Sequence, residues 1–217
     1  MQTSPPLHKT ALFFDFDNTL TAGDVLDGII ETFSPNEKWR DWEEQWAEDR
    51  LSARDCLRLQ VENLRVTRED LFDYLSQVKI DPVFPEILRW ARQRAVDVTI
   101  VSDSFVPLIL RMLARNRIEG VPVFANHLEF AGDRLLPSFP YYDPAFPLYA
   151  NAKARHLEPR RDRRLIYAGD GRSDLDAALV ADVVFAKDSL ARELEARAVS
   201  YLRFETLEPV LAHLQNS

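Results

Sequence analysis

The stretch Ala11-Leu-Phe-Phe-Asp-Phe-Asp17 is a short apolar run that ends in carboxylates. Continuous apolar character is typical of a strand whose two faces are both covered in a parallel sheet. Three further runs look the same, at residues 96–101, 165–168 and 183–186, and helical patterns lie between them, at residues 84–94, 106–117, 174–180 and 190–198. This alternation predicts an α/β fold with a mostly parallel sheet, an edge strand at 201–204 and a closing helix at 207–214.

The first and second predicted strands are too far apart for a simple crossover. The first ends at Asp17 and the second begins near Val96, whereas a βαβ unit takes roughly 30 residues or a little more. The extra sequence contains two helix start signals: Ser34-Pro-Asn-Glu37 matches a capping box with proline at the first helical position, and Thr67-Arg-Glu-Asp70 is similar. We expect residues 24–79 to form a small helical cap, and residues 1–23 and 80–217 to form the core.

Two other regions are relevant to the cap and its surroundings. Trp39, Trp42 and Trp46 follow helical spacing on one face, which favours a packing stripe for at least two of them over a roof above a ligand. Residues 130–134 predict a hairpin turn. The proline- and aromatic-rich segment 137–149 predicts a loop.

The composition argues against several classes of partner. The 217 residues carry a net charge of −8 with no dense run of Lys and Arg, so a nucleic-acid partner is not expected. The single cysteine, Cys56, excludes a disulfide framework and reads as a small packing residue. The sequence contains no apolar stretch of about 20 residues, so no membrane span is predicted, and residues 1–6 carry no apolar signal segment. The expected compartment is the cytoplasm.

Carboxylates gather at the end of the first predicted strand. Asp15 and Asp17 lie at its carboxyl end, where open α/β sheets bind their ligands. Two acids beside an apolar strand are costly unless a cation or a reaction uses them. A helix cap or an ion pair would explain one of the two aspartates. Neither explains well why two aspartates are followed by Asn18 and Thr19.

Three other groups have candidate functional chemistry. Ser102 ends a second strand before a helical pattern, and a hydroxyl with free N–H groups at a helix start can bind an anion, although Ser is also a common N-cap. Lys153 taken alone is an ordinary solvated charge. Residues 167–174 again run from a strand into a glycine-containing turn, where Asp170, Asp174 and Asp176 are too many acids for capping alone.

The order of these groups is more specific than any one of them. Asp-x-Asp-x-Thr, a strand with a terminal Ser, a Lys, and Gly-Asp-x-x-x-Asp resemble the motif set of the haloacid dehalogenase-like phosphatase superfamily, from Ala11 to about Lys187. Residues 123–130, with Asp24 after Asp17, are similar to the phosphoserine phosphatase-like branch and to its methionine-salvage phosphatases. Asn18 stands where many members have Gly or Ser, and Asp103-Ser104 stand where Gly-Gly is usual.

The resemblance implies a Rossmann-like parallel sheet with a helical cap inserted after the first strand. It also implies a Mg²⁺-dependent hydrolase that removes phosphate from a small phosphorylated metabolite. In that reaction Asp15 is the nucleophile that forms an aspartyl-phosphate, and Asp17 is the general acid and base. The metal ligands would be Asp15, Asp170 and the main-chain carbonyl of Asp17.

The remaining roles concern the phosphate. The resemblance implies that Ser102, Asp103 and Lys153 bind it, with backbone N–H groups near Ser102 contributing. Thr19 and Asp174 are supporting residues, and Asp174 would orient either Lys153 or a metal-bound water.

Three alternative functions stay open at this point. A phosphomutase or phosphotransferase of the same superfamily would carry every one of these motifs. A receiver-type signalling module also uses Asp, Mg²⁺, Ser/Thr and Lys, but places the phosphorylated Asp on a middle strand and lacks a cap of this size. A non-catalytic phosphoryl-binding protein would have no reason to retain Asp15, Asp17, Lys153 and Asp170 together.

Overall fold

A computed structural model describes residues 10–217. Residues 1–9, which the sequence assigns to the core, lie outside this range. The described strands form one sheet: β1 (Thr10–Phe14), β2 (Asp97–Phe105), β3 (Val123–Ala131), β4 (Arg134–Ser138), β5 (Arg164–Gly169), β6 (Val183–Ala186) and β7 (Leu202–Arg203). Their order is β4-β3-β2-β1-β5-β6-β7, and every neighbouring pair is parallel except the β3–β4 hairpin. The predicted α/β fold is therefore confirmed.

The described α-helices alternate with these strands after the first long insertion. They are α1 (Val25–Phe33), α2 (Lys38–Ala47), α3 (Ala53–Asn63), α4 (Arg68–Leu75), α5 (Phe84–Gln93), α6 (Val106–Arg115), α7 (Ala154–Leu157), α8 (Leu175–Val180), α9 (Asp188–Ala196) and α10 (Glu208–Gln215). Between residues 10 and 217 no helix has the length and apolar character needed to cross a lipid bilayer.

The central strand β1 has both faces buried, as its continuous apolar character predicts. Leu12 and Phe14 point into one apolar cluster, which α5, α6 and α10 cover. Ala11 and Phe13 point into the cluster on the opposite face, which α8 and α9 cover. Successive side chains of a strand alternate between faces, so a strand between two layers of helices must be apolar throughout.

The helices α1–α4 lie between β1 and α5, in the segment expected to form a cap. Their apolar side chains, including Ile29, Val61 and Leu71, belong to the same cluster as Phe14 of the sheet. Helix α3 packs against β4, and α4 packs against α6. Cys56 of α3 is buried, which agrees with a packing role, and burial raises the pKa of its thiol to about 12. The division into cap and core remains a proposal.

One predicted helix start is confirmed and the other is wrong. Thr67 caps α4 by accepting a hydrogen bond from the Asp70 N–H at 3.2 Å. Ser34 does not cap α2: its own N–H donates to the Ile30 carbonyl at 3.1 Å, so it ends α1 instead. Helix α2 begins at Lys38, and the side chain of Asn36 accepts its N–H. The preceding helix uses the serine, so the capping box does not form.

Strand β2 is longer than predicted. It continues four residues beyond Val101 to Phe105, with a shift in its pairing with β3, and α6 begins only at Val106. Ser102 is therefore inside the strand end and not at a helix start, which corrects the anion-site argument based on a helix N-terminus. The β3–β4 hairpin confirms the predicted turn, and β4 takes up the first two residues of the predicted loop 137–149.

The Asp81 side chain connects the start of α5 to the start of α10 by hydrogen bonds. Its carboxylate accepts the Val83 N–H at 2.8 Å and the Leu207 N–H at 3.0 Å. We predict that Asp81→Ala lowers the free energy of unfolding by about 1–3 kcal/mol, because two amides lose their acceptor. Urea denaturation measures the change. Asp162→Ala is the control, since Asp162 is exposed; an equal loss in both variants would contradict the assignment.

Candidate functional site

The sheet order brings the predicted site residues together. Strands β2, β1 and β5 are neighbours, and all three are parallel. Their carboxyl ends therefore meet at one edge, where Asp15 and Asp170 directly follow β1 and β5 and Ser102 lies near the end of β2. The Asp15 N–H donates to the Ala168 carbonyl of β5 at 2.9 Å, so the pairing of β1 with β5 continues into the site.

Lys153 is the buried cation of this edge. Only 1% of its surface is exposed, and its Nζ lies 2.8 Å from Asp15 Oδ1 and 2.6 Å from Asp174 Oδ1. A weaker hydrogen bond at 3.3 Å reaches Ser173 Oγ. Burial by itself lowers the pKa of Lys153, but Asp15 and Asp174 together raise it well above its usual value. Lys153 is therefore a fixed positive charge beside Asp15.

Asp174 is fully buried and its carboxylate is saturated. Oδ1 accepts Lys153 Nζ and the Tyr167 hydroxyl, the latter at 2.5 Å, and Oδ2 accepts the backbone N–H groups of Asp170 and Gly171, each at 2.9 Å. Burial, followed by the charge of Asp174, raises the pKa of Tyr167 well above its usual value, so the phenol stays a donor. Asp174 thus holds Lys153 and the turn that carries Asp170.

Asp170 is oriented by the two residues that follow Asp17. Thr19 Oγ1 donates to Asp170 Oδ1 at 3.1 Å, and Asn18 Nδ2 donates to Asp170 Oδ2 at 2.9 Å and to Asp188. Asn18 has φ of 51°, a left-handed conformation that Asn tolerates better than most residues. The predicted supporting residue Thr19 is thus in contact with Asp170, and Asn18 joins it.

A divalent cation fits this donor set. Carboxylate oxygens of Asp15, Asp170 and Asp174 lie within 4.8 Å of one another. Because Asp174 already accepts four hydrogen bonds, Asp15 and Asp170 are the better ligands. Burial, followed by Asp174, raises the pKa of Asp15 well above its usual value and that of Asp170 to about 6. A hard cation with oxygen ligands would offset this crowding of negative charge.

Asp17 is buried beside Asp15 and reaches toward the insertion. Its Oδ1 accepts the Val25 N–H of α1 at 3.3 Å. Burial, followed by the charge of Asp24, raises its pKa well above the usual value, although the Ser104 side chain opposes this by hydrogen bonding. Sequence reasoning missed Ser104 as a neighbour of Asp17. Ser104 lies two residues after Ser102, and alternate residues of a strand share a face, so an extension of β2 to Phe105 would have indicated it.

Ser102 and Asp103 differ in what their side chains can offer a phosphate. Ser102 is buried, and its Oγ accepts the Ser104 N–H at 3.1 Å. Both carboxylate oxygens of Asp103 are used by the backbone N–H groups of Ala150 and Asn151, each at 3.1 Å. A carboxylate also repels phosphate. Phosphate binding by Asp103 remains a prediction, and its backbone N–H, not its side chain, would donate the hydrogen bond.

A cavity of about 300 Å³ lies between helices α1–α3 and the ends of β2 and β5. Its lining includes Asp24, Asp27, Glu43, Trp46 and Arg172, and it reaches Asp170. Desolvation raises the pKa of both Asp24 and Asp27 to about 6, with Asp27 adding to the first and Glu43 to the second. Arg172 bonds to Asp49 at 2.8 Å, so its charge is already paired. The charged side chains of the cavity wall are therefore acidic, apart from the paired Arg172.

The tryptophan stripe is not the packing core that its spacing favours. No residue of α2 is buried, which corrects the expectation that at least two of the three tryptophans behave as core. Trp39 is stacked under the guanidinium of Arg40, 4.3 Å from the ring centroid. Only Trp46 packs against the apolar cluster, and it also borders the cavity. Helix α2 lies on the outside of the insertion, so helical spacing alone did not decide burial.

The sequence matches the model for haloacid dehalogenase-like hydrolase over residues 12–179, which is more than half of the chain. The chain belongs to the haloacid dehalogenase-like hydrolase family. The predictions of this family and of an enzyme are thereby confirmed. The match begins within β1 and ends in α8, so it includes Asp15, Ser102, Lys153 and Asp170.

Individual proteins resemble this hydrolase over nearly its whole length. A 2-hydroxy-3-keto-5-methylthiopentenyl-1-phosphate phosphatase of Brevibacillus brevis is 27% identical, covering 95% of this chain and 96% of that protein. A polyol phosphate phosphatase of Saccharomyces cerevisiae is 25% identical, covering 95% and 93%. A phosphoserine phosphatase structure with a phospho-aspartyl intermediate analogue superposes with a TM-score of 0.72 at 19% identity, covering 94% and 98%, which supports the fold.

Gly169 is the point of closest backbone approach in the site. A Cβ there would lie 2.5 Å from Asp174 Oδ2 and 2.8 Å from a ring carbon of Tyr167. We predict that Gly169→Ala lowers both the melting temperature and the activity of this hydrolase, because Asp174 must move and releases Lys153. Gly171→Ala is the matched control, since its Cβ would meet nothing closer than 3.6 Å. Thermal melting and phosphate release measure both variants; equal behaviour would contradict the steric argument.

Proposed function

We propose that this hydrolase is a Mg²⁺-dependent phosphatase that removes phosphate from a small metabolite through an aspartyl-phosphate on Asp15. The observation that carries the proposal is the buried Lys153 ammonium, held between Asp15 and Asp174 at hydrogen-bond distance from both. A buried cation beside two carboxylates suits a site that must receive a phosphate dianion. The two relatives described above are both named phosphatases, which supports the same reaction.

Asp15 is the proposed nucleophile. Lys153 binds Oδ1, and among residues 10–217 no hydrogen bond engages Oδ2, which leaves that oxygen available for attack on phosphorus. In the first step Asp15 forms the bond to phosphorus while the ester oxygen leaves. In the second step a water molecule displaces the phosphate and regenerates the carboxylate. A carboxylate needs no activating base for the first step.

Asp17 is the proposed general acid and base. It donates a proton to the leaving oxygen and then accepts one from the attacking water. Its raised pKa suits the first role, because a carboxyl group must hold a proton at the moment the ester oxygen leaves. The Val25 N–H orients one carboxyl oxygen, so the insertion that begins at α1 also positions the acid.

Asp15, Asp170 and the main-chain carbonyl of Asp17 are the proposed ligands of Mg²⁺. No hydrogen bond among the described residues takes up the Asp17 carbonyl oxygen, although the neighbouring Phe16 carbonyl accepts three backbone N–H groups. When bound, the ion supplies neutralisation of the charge that the carboxylates and the phosphate share. Asn18 and Thr19 hold the Asp170 carboxylate in place for this purpose.

The cavity lining supports a hydroxylated or amine-bearing substrate over a polyanionic one. Carboxylates of Asp24, Asp27 and Glu43 line the cavity, and they accept hydrogen bonds from hydroxyl or ammonium groups but repel further phosphates. Two relatives are named for hydroxylated phosphates, a 2-hydroxy-3-keto compound and a polyol phosphate. We therefore favour a small phosphate ester rich in hydroxyl groups, of the kind these names describe.

A phosphomutase or phosphotransferase remains the alternative within the family. Both reactions pass through the same phosphorylated Asp15, and they differ in whether water or a second hydroxyl receives the phosphate. Release of inorganic phosphate from p-nitrophenyl phosphate with Mg²⁺, measured without any acceptor alcohol, separates them. A receiver-type module or a non-catalytic binding protein would release none beyond one equivalent.

Asp15→Asn should abolish turnover while the fold remains intact. The substitution removes the nucleophile and one metal ligand, and a loss of at least about a thousandfold in kcat is expected. Asp17→Asn should slow both proton transfers and allow the phosphoenzyme to persist after a chase. Mass spectrometry of the acid-quenched protein detects the phosphate on Asp15. Near-wild-type turnover by folded Asp15→Asn would refute the mechanism.

Glu43 tests the proposed recognition of hydroxyl groups. Its carboxylate is fixed by Gln60 at 2.8 Å, and it lines the cavity. A hydrogen bond to a charged group contributes about 1.5–3 kcal/mol, so Glu43→Gln should raise the KM for the preferred substrate about tenfold or more. Its kcat/KM for p-nitrophenyl phosphate should not change. Glu44→Gln, at the exposed neighbouring position, is the control and should resemble wild type with both substrates.

A further inference from the structure

Lys153 is carried by a segment that regular secondary structure does not hold. It directly precedes the short helix α7, and residues 147–153 belong to no strand or α-helix. A long side chain on such a segment can reach Asp15 only if the backbone beneath it is fixed. Its position must therefore be set by contacts of the segment with the rest of the core.

Two carboxylates accept the backbone N–H groups on either side of Lys153. Asp103, at the end of β2, receives Ala150 and Asn151, each at 3.1 Å, with one carboxylate oxygen for each N–H. On the other side Asp176 of α8 receives Ala154 at 3.0 Å. Paired hydrogen bonds to one carboxylate fix orientation as well as distance. The chain immediately before Lys153 is thereby held against β2.

The side chain of Asn151 in turn contacts the backbone of β2 and β3. Its side chain is completely buried, and its Nδ2 donates to the Ser102 carbonyl at 2.9 Å and to the Phe124 carbonyl at 3.1 Å. Its Oδ1 meets His156 Nε2 at 2.9 Å, and the imidazole is stacked on Phe124. Nδ2 thus donates to two backbone carbonyls, and the amide oxygen has a partner in His156.

The two side chains therefore cross between the same two segments. The Asp103 side chain reaches the backbone of residues 150 and 151, and the Asn151 side chain reaches the backbone of Ser102, which adjoins Asp103. The contacts of Asp103 and Asn151 together form a clamp between the two segments. Asn126 also donates to the Asp103 carbonyl at 2.6 Å, which connects this clamp to β3. A reciprocal arrangement of this kind resists both sliding and rotation of one segment against the other.

We propose that Asp103 and Asn151 are a pair of positioning residues that set Lys153 in register with Ser102, so that its ammonium meets Asp15. This assignment rests on the proposed phosphatase reaction for its kinetic consequences. Asp103 acts through Lys153 and contacts no reacting atom with its side chain.

The kinetic test uses Asp103→Asn, Asn151→Ala and the double variant. Each single variant should lower kcat for p-nitrophenyl phosphate about tenfold or more with little change in KM, because Lys153 is displaced while the phosphate still enters. Since the pair acts as one unit, the double variant should be no worse than the poorer single variant. Losses that multiply, or an unchanged kcat in the folded single variants, would overturn the proposal.

Asp143→Asn is the matched control. Asp143 is a buried carboxylate that, like Asp103, accepts a backbone N–H, here that of Ala145 at 2.9 Å, and it pairs with Arg155. It makes no hydrogen bond to Ser102, Asp103 or Lys153 among the described residues. A purely structural effect would lower the melting temperature in Asp143→Asn and Asp103→Asn alike, whereas the loss of kcat should be confined to the Asp103 and Asn151 variants.

Hydrogen exchange on the wild-type protein tests the clamp without any activity. The amides of Ala150 and Asn151 should exchange as slowly as those of β1, although they lie outside regular secondary structure. Exchange as fast as that of Leu148, whose N–H donates no hydrogen bond among the described residues, would overturn the clamp even if the variants fail to fold. If the wild type releases no phosphate, the proposed function fails, and protection at these two amides still decides whether the clamp exists.

Discussion

The ion pairs of Lys153 with Asp15 and Asp174 are the interaction on which the rest of the site depends. All three side chains are buried, and removing charges from water costs several kcal/mol per ion unless close partners replace the water. Asp174 satisfies this condition with four donors, which include the Tyr167 hydroxyl and two backbone N–H groups. Loss of Lys153 would leave Asp15 and Asp174 without their cation, whereas loss of either carboxylate would leave Lys153 with one ion-pair partner instead of two.

The parallel sheet makes such a cluster possible. Strand β1 lies between β2 and β5, and each contributes an end to the same edge, so residues far apart in the chain become neighbours. The close packing of Gly169 against Asp174 shows how little space separates β5 from the turn that follows it. Beyond the sheet, the segment with Lys153 has no strand of its own and relies on side chains from β2 and α8. The proposed catalytic groups thus depend on supporting residues that belong to no catalytic motif.

The insertion with helices α1–α4 contributes to the site in two ways. It begins shortly after Asp15 and Asp17, and the Val25 N–H of α1 donates to Asp17. Its inner surface provides the acidic wall of the cavity, with Trp46 between that wall and the apolar cluster. The same helices share the hydrophobic core of the sheet, so movement of the insertion would disturb packing around Phe14. The proposed recognition of the organic part of a substrate would therefore be linked to the stability of the core.

The sequence by itself determined the fold class, the family and the identity of the central carboxylates. Apolar runs such as residues 11–14 and polar groups at strand ends are local signals, because a strand buried on both faces must be apolar and a ligand site must be polar. The hairpin turn and the Thr67 cap are equally local, since a few neighbouring residues specify them.

Only the tertiary structure decided the features that depend on distant partners. Spacing could not show that α2 lies on the outside, that Ser34 ends one helix instead of starting another, or that β2 runs on to Phe105. Nor could it show that the Asp103 carboxylate binds the backbone of residues 150 and 151, some 47 and 48 positions away in the chain. Burial and hydrogen bonding between remote segments are properties of the packed chain, and no local pattern encodes them.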